Sequence, residues 1–166
     1  MKTDFSNKFL KTKQLIYKIK KIKKDKKKIV LCHGCFDILH WGHAIHFNEA
    51  KKFGDILIVS ITKDRYIKKG KNRPVFSHYE RAYLLSNLST IDFVTVNNSA
   101  SSEDVIRIIK PDIYVKGKDY ANNKNNYNKN FDKEKKLVEI NGGKILFTKG
   151  KTTSSTLAFK KLYEKI

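Results

Sequence analysis

HGCFDILHWGH occupies residues 33–43 and lies between a strand pattern and a helix pattern. The apolar run Ile29–Leu31 precedes it, and the residues from Gly42 onward have helical spacing, which predicts a strand–loop–helix junction. His40 and His43 fall where that helix begins. The first turn of a helix has unpaired N–H groups and the positive end of the peptide dipoles, and Gly42 permits close approach, so the junction predicts a phosphate site. Ordinary turn or surface histidines are the alternative.

Strand and helix patterns alternate along the rest of the chain. The predicted strands are 29–33, 55–62, 93–96, 112–116 and 144–147, and the predicted helices are 42–53, 79–88, 103–110, 132–141 and 154–165. This alternation predicts an α/β fold, namely a Rossmann-like doubly wound parallel sheet of about five strands with flanking helices.

Small and polar residues mark the predicted helix ends. Gly54 is expected to close the helix 42–53 in a left-handed conformation, and Ser101 or Ser102 to cap the helix that Pro111 stops. Gly142-Gly143 is expected to end the helix 132–141. Residues 121–130 are rich in Asn and Lys and predict a mobile loop.

The chain is divided into a basic N-terminal helical extension at residues 1–28 and one domain at 29–166. Apolar residues of the extension recur at helical spacing: Leu15, Ile16, Ile19 and Ile22. The pattern predicts an amphipathic helix packed on the domain, with binding to a membrane surface as the alternative.

Composition limits the partners and the compartment. No run of 18 apolar residues and no signal-peptide core are found in the 166 residues, which predicts a cytoplasmic protein without a membrane span. The net charge of +20 comes almost entirely from Lys, with Arg only at positions 65, 73, 81 and 107. Polyanion binding usually uses Arg and interleaved aromatics, so a nucleic-acid partner is not favoured, whereas phosphorylated substrates are attracted by this field.

The two cysteines, Cys32 and Cys35, form a Cys-x-x-Cys pattern that can indicate a redox or metal pair. Cys32 falls in a predicted strand and Cys35 in the following loop, and the sequence has no second cysteine pair. A redox or metal role is therefore not favoured.

Polar residues follow several of the predicted strands. Residues 33–43 follow the first strand, Asp64 the second, Lys116–Tyr120 the fourth and Thr153–Thr156 the fifth. Ligands of open parallel sheets bind beyond the carboxyl ends of the strands, near the switch in strand order. These segments therefore predict one ligand site along one sheet edge.

The order of the motifs resembles the HxGH nucleotidyltransferases, a cytidylyltransferase-like superfamily. The likeness extends from about Lys28 to Phe159. Besides residues 33–43 it is carried by GDILIV at 54–59, RPV at 73–75 with Glu80-Arg81, PDIYVKGKDY at 111–120, Gly142-Gly143 and TSST at 153–156. Within that superfamily the chain is most similar to heptose-1-phosphate adenylyltransferase and glycerol-3-phosphate cytidylyltransferase domains.

This resemblance implies transfer of NMP from an NTP to a sugar or polyol phosphate, with release of pyrophosphate and with Mg²⁺ arriving on the NTP. ATP is slightly favoured over CTP, because residues 115–120 and 73–75 resemble the adenylyl branch, although residues 37–43 equally resemble the cytidylyl branch. It also implies a homodimer and a separate sugar kinase as a partner. The alternative is a non-catalytic basic module that binds nucleic acid or an acidic surface.

The resemblance also implies catalytic roles for four residues. It assigns His40 and His43 to the bridge between the α- and β-phosphates. Lys69 matches a phosphate-binding lysine, with Lys68 and Lys71 as alternatives in the same loop. Arg81 matches an arginine that reaches the triphosphate or the acceptor, and its alternative is an ion pair on the helix surface.

Further residues are expected to contact the substrates. Those assigned to the nucleotide are Gly34, Cys35, Phe36, Asp37, Gly42, Lys116, Gly117, Asp119, Ser154, Ser155 and Thr156, and those assigned to the acceptor are Asp64 and Tyr120. Asp37 has a structural alternative, as an acceptor that holds the turn, and the three hydroxyl residues would look the same as helix caps. Many relatives have an Arg before that last helix, where this chain has Lys149 and Lys151.

Overall fold

Five parallel strands form one sheet in a computed structural model that describes residues 7–120 and 130–150. The strands are β1 (Ile29–Gly34), β2 (Ile56–Thr62), β3 (Phe93–Asn97), β4 (Ile113–Lys116) and β5 (Lys144–Phe147). The helices are α1 (Thr12–Lys24), α2 (Trp41–Lys51), α3 (His78–Ser86), α4 (Glu103–Ile109) and α5 (Phe131–Ile140), with short 3₁₀ turns at Asp64–Tyr66 and Lys118–Tyr120. The predicted Rossmann-like α/β class is confirmed.

The strand order β3-β2-β1-β4-β5 puts β1 at the centre of the sheet. Cys32 of β1 is paired with Val59 of β2 on one side and with Val115 of β4 on the other. The chain moves outward from β1 first in one direction and then in the other, so the switch in strand order lies between β1 and β4. A ligand site is expected outside the carboxyl ends of these two strands.

Both faces of the sheet are covered by helices, which explains the nearly continuous apolar runs in β1 and β2. On one face, α2 and α3 bury residues such as Phe47 and Leu85 against Val30 and Val59. On the other face, α1, α4 and α5 pack over a second apolar cluster around Leu31.

The N-terminal helix belongs to that second cluster. Leu15, Ile19 and Ile22 are at most 5% exposed, which confirms that the apolar stripe of α1 packs on the domain, whereas Ile16 is 40% exposed. Just before the helix, the N–H of Leu10 donates to the carbonyl of Val94 at 2.8 Å, so this segment lies along the outer edge of β3.

One predicted helix end, that at Gly54, differs from the structure. Gly54 is not in the left-handed region, so its assignment as a left-handed cap is wrong. A Cβ at this position would lie 2.7 Å from Val30, so the glycine permits close packing of the turn on β1. At the start of α4, Ser101 Oγ accepts from Glu103 N at 3.4 Å, as one of the two predicted caps should, whereas the hydroxyl of Ser102, the N-cap residue, bonds the Tyr114 hydroxyl at 2.9 Å. Gly142, with φ of 80°, ends α5 as predicted.

The predicted helix at 154–165 and all of the predicted loop at 121–130 except Asn130 lie outside the described residues. Within the described ranges, no helix has the length and apolar character needed to cross a membrane.

Candidate active site

The two histidines of the HWGH segment lie against each other at the start of α2. His40 is the N-cap residue, in extended conformation, and its ring stacks on that of His43 with 3.8 Å between centroids and 21° between planes. The backbone N–H groups of Trp41 and Gly42 make no hydrogen bond within residues 7–120 and 130–150. The junction therefore combines paired imidazoles with the free N–H groups of a helix N-terminus, an arrangement suited to phosphate.

The ring of His43 is enclosed between its neighbours at the start of α2. Its Nδ1 is buried without a partner in the described part of the chain. Burial, together with the nearby His40, His46 and Lys69, lowers the pKa of His43 to about 3, and burial also lowers the pKa of His40. Both rings are therefore neutral at neutral pH, and a neutral imidazole carries one N–H donor.

Phe36 fixes the orientation of His43. Phe36 has a positive φ of 47°, and its ring meets the His43 ring edge-on, with 5.3 Å between centroids. It also packs on Phe47 and covers Gly34, where a Cβ would lie 2.9 Å from the Phe36 ring. Gly34 and Phe36, which were predicted to contact the nucleotide through the backbone, thus also build the wall of the site.

Asp37 is turned away from solvent and tied to the segment 73–76. Its carboxylate, 1% exposed, accepts hydrogen bonds from Arg73 Nε at 2.5 Å, Val75 N at 2.8 Å and Phe76 N at 3.1 Å. Burial opposes ionisation of Asp37, but these hydrogen bonds outweigh it and hold its pKa below the usual value. Of the two roles considered for Asp37, the structure supports the acceptor that holds the turn, so its assignment to the nucleotide is corrected.

Arg81 is fully buried, which corrects both roles considered for it. The side chain is 0% exposed, so it does not form a surface ion pair on its helix. Its guanidinium donates to the carbonyls of Phe76 and Cys35, and Nη2 donates to Thr62 O at 2.8 Å and to Asp64 Oδ1 at 2.6 Å. Arg81 therefore positions the loops around the site, and its hydrogen bonds are directed to protein atoms.

Both carboxylate oxygens of Asp64 contact a neighbouring side chain. Oδ1 accepts from Arg81, and Oδ2 lies 2.6 Å from Nδ1 of His78. Burial tends to raise the pKa of Asp64, but the hydrogen bonds from His78 and Arg81 lower it overall. Asp64 thus holds His78 and Arg81, while its side chain stays 32% exposed.

The start of α3 explains how these groups are held. Ser77 and Glu80 form a capping box, in which Ser77 Oγ accepts from Glu80 N and Glu80 Oε2 accepts from Ser77 N at 2.8 Å. Glu80 is therefore a helix cap and does not form an ion pair with Arg81. The box fixes His78 as the first helical residue, one position before the predicted start of this helix.

Among the three loop lysines, the structure singles out Lys69. Its charge is among the causes that lower the pKa of His43, and it also acts on Cys35. Lys68 and Lys71 are not among the main causes of the lowered pKa of His43. Lys69 thus lies within electrostatic reach of the stacked histidines, as its predicted role requires.

At the end of β4, Lys116, which was assigned to the nucleotide, lies in a buried polar cluster with Glu134. Nζ of Lys116 lies 3.0 Å from Glu134 Oε2. It also lies 4.8 Å from the ring centroid of Tyr114 and 5.0 Å from that of Tyr120. Glu134 also accepts from the Tyr114 hydroxyl and from Ser102 N, at 3.2 and 3.3 Å. The ammonium of Lys116 therefore faces Glu134, which no motif in the sequence indicated.

The remaining predicted residues are placed only in part. Gly117 follows β4, and its carbonyl accepts from Tyr120 N at 3.1 Å, whereas the side chain of Asp119 is outside what the structure describes. Ser154, Ser155 and Thr156 also lie outside the described residues.

The segment that leads toward those hydroxyl residues is tethered to α2. Glu49 accepts from Lys149 N at 2.7 Å, and the His46 ring bonds Thr148 Oγ1 at 3.0 Å. Neither His46 nor Glu49 belongs to a motif, and neither was predicted.

Cys32 and Cys35 are both free thiols. Cys32 is fully buried in the core, and burial raises the pKa of both thiols, which disfavours the reactive thiolate. The geometry thus argues against a redox role for this pair.

Comparison with known proteins gives three kinds of match. The family model described as cytidylyltransferase-like matches residues 31–161. Proteins named bifunctional protein HldE are similar: the one from Helicobacter pylori (strain ATCC 700392 / 26695) is 46% identical over 121 residues, covering 72% of this chain and 26% of that protein. The one from a Nitratiruptor species is 39% identical over 138 residues, covering 82% and 28%. The chain spans about a quarter of the length of these curated relatives.

Two solved structures share the fold. A lipopolysaccharide core biosynthesis protein from Thermoplasma volcanium GSS1 matches with a TM-score of 0.63 and 25% identity, covering 76% of this chain and 99% of that chain. A pantoate-beta-alanine ligase from Francisella tularensis matches with a TM-score of 0.62, covering 89% and 68%, and at 17% identity it supports the fold alone.

Proposed function

The chain belongs to the cytidylyltransferase-like family, and from this premise we propose that it transfers the NMP part of an NTP to a sugar or polyol phosphate. The observation that carries the proposal is the stacked pair His40 and His43 beside the free N–H groups of the first turn of α2. A non-catalytic basic module is not favoured, because it gives no reason to enclose two neutral imidazoles at a helix N-terminus.

In the proposed reaction, an oxygen of the acceptor phosphate attacks the α-phosphorus of the NTP. A new P–O bond forms, the bond from the α-phosphorus to the bridging oxygen breaks, and pyrophosphate leaves with that electron pair. The nucleophile is already an anion, so the protein needs no general base, and catalysis rests on positioning and charge stabilisation. His40, His43 and the N–H groups of Trp41 and Gly42 supply donors to the phosphates, and Lys69 supplies positive charge.

We treat Mg²⁺ as part of the NTP substrate. The described residues contain no group of three or more His, Cys, Asp or Glu side chains arranged to hold a metal ion, and Asp37 and Asp64 both face arginines. A magnesium ion bound by phosphates and water fits such a site, because Mg²⁺ commonly keeps several waters and uses substrate phosphates as ligands.

ATP and a heptose 1-phosphate are our preferred substrates. The similarity to the HldE proteins and the motifs at residues 73–75 and 115–120 support the adenylyl branch. The same proposal includes action in the cytoplasm as a homodimer, with a sugar kinase that supplies the phosphorylated acceptor. In this arrangement Gly117 and Asp119 are assigned to the base, Tyr120 to the acceptor, and Ser154, Ser155 and Thr156 to the β- and γ-phosphates.

The proposal predicts pyrophosphate release that depends on both substrates. We expect turnover with ATP and heptose 1-phosphate in the presence of Mg²⁺, and weaker or no turnover with CTP or with glycerol 3-phosphate. A coupled pyrophosphate assay over these four combinations, extended to other sugar 1-phosphates, measures it. Failure of a folded sample to release pyrophosphate with any combination would contradict the proposed function. Faster turnover with CTP than with ATP would contradict the proposed choice of nucleotide.

Lys69→Ala is expected to lower kcat/KM about tenfold to hundredfold, because a cation near the developing phosphate charge is lost. Lys71→Ala is the matched control, since it removes an equal charge from the same exposed loop and should retain most of the activity. Equal losses in both variants would show that the loop acts through its general positive field.

A further inference from the structure

His78 is an accessible imidazole near the proposed site that none of the motifs includes. It is the first residue of α3, its side chain is 16% exposed, and Nδ1 lies 2.6 Å from Asp64 Oδ2. Its other nitrogen, Nε2, makes no hydrogen bond to any residue in the described ranges and is not buried.

Asp64 determines which nitrogen of His78 carries the proton. The pKa of Asp64 is held below its ordinary value by His78 and Arg81 against the effect of burial, so at neutral pH its carboxylate is ionised and can only accept. Nδ1 of His78 must therefore be the donor. In the neutral ring, Nε2 then presents a lone pair.

The position of His78 along the sheet assigns it to one substrate, and this step rests on the proposed function. The stacked histidines follow β1, and the residues proposed for the base follow β4, on one side of β1. His78 is held by Asp64 at the end of β2, on the opposite side of β1. With the triphosphate over β1 and the base over β4, the edge beyond β2 remains for the acceptor.

We propose that Nε2 of His78 accepts a hydrogen bond from a hydroxyl group on the sugar or polyol part of the acceptor. At neutral pH most of a phosphate monoester is the dianion, which has no hydrogen to donate to this lone pair, whereas a hydroxyl has one. His78 is thus a specificity residue for the body of the acceptor, and Asp64 and Arg81 position it.

Two substitutions separate this role from a structural one. His78→Asn keeps an amide N–H near the place of Nδ1 for Asp64 but removes Nε2, and it should raise the KM for heptose 1-phosphate about tenfold. His78→Gln places an amide oxygen near the place of Nε2, and it should restore most of that affinity. Neither variant should change the KM for ATP, because the nucleotide lies on the other side of β1.

The wild-type protein assayed with ATP and heptose 1-phosphate is the reference. If it releases pyrophosphate and His78→Asn has an unchanged KM for heptose 1-phosphate, the inference about His78 is overturned while the proposed function stands. A parallel loss in both variants, with the KM for ATP also raised, would assign His78 a purely structural role and equally overturn the inference. If the wild type is inactive with every acceptor, it is the proposed function that fails.

Discussion

A His43→Ala variant is expected to lose about a hundredfold to a thousandfold in kcat/KM, the loss typical of removing one preorganised donor from charge that develops during reaction. His43 is enclosed by Phe36 and Phe47, which hold its ring in place. Its Nδ1 has no hydrogen-bond partner in the described structure. Pyrophosphate release under saturating and limiting ATP measures the loss.

A matched control comes from the same helix. His46 also lies on α2, and its ring bonds Thr148, so His46→Asn keeps an N–H for that contact and should retain most of the activity. If His43→Ala were as active as the wild type, the imidazole pair would have no part in catalysis and the proposed mechanism would be wrong.

His43→Ala is also expected to change how the free energy of unfolding depends on pH. The folded protein holds the pKa of His43 at about 3 through burial and neighbouring charges, whereas an unfolded histidine titrates near pH 6.5. Between these values the unfolded chain binds more protons, so the stabilising effect of a neutral His43 is fully present above pH 6.5 and is lost as pH falls toward 3. His43→Ala should therefore show a shallower decline of unfolding free energy over this window.

Arg81→Met is expected to lower the free energy of unfolding by about 3–5 kcal/mol, because several oxygens around the buried guanidinium lose their donor at once and each buried acceptor left without one costs about 1–3 kcal/mol. The guanidinium is fully buried and bonds Asp64 together with three backbone carbonyls. Methionine fills a similar volume, but it offers no donor to any of these oxygens. Urea denaturation followed by circular dichroism measures the change.

Arg107→Met is the matched control, because it removes the same side chain from an exposed position. Arg107 is 63% exposed and pairs with Glu103 at 3.8 Å within one helix, an arrangement that contributes at most about 0.5 kcal/mol. A loss below about 1 kcal/mol for Arg81→Met would mean that the loops around the site are held by other contacts.

The sequence predicted the fold well because local periodicity is a direct consequence of burial on two sheet faces. Each described strand was placed within one or two residues, and the position of His40 and His43 at a helix start followed from the change of period at Gly42. Gly54 was misjudged, because its role depends on Val30, which is far away in sequence and adjacent in space.

The roles within the site were harder to predict, since they depend on long-range partners. Arg81 and Asp37 look the same in sequence whether they face a ligand or a protein group, and only the fold brings Asp64 and Arg73 to them. Glu134 and His78 stand in no motif, and a lone Glu or His on a helix is usually a surface residue. Their partners lie on other elements of the fold, so pattern alone gave no signal for them.

The central place of β1 has a consequence for how the chain is made. β2 leaves the ribosome soon after β1, but β4 begins only at Ile113. At translation speeds of about 5–20 residues per second, one flank of β1 stays bare for roughly ten seconds. A nascent chain that already contains both histidines therefore lacks β4, the strand that completes the sheet beside them. We expect it to bind nucleotide weakly until the second half of the polypeptide has emerged.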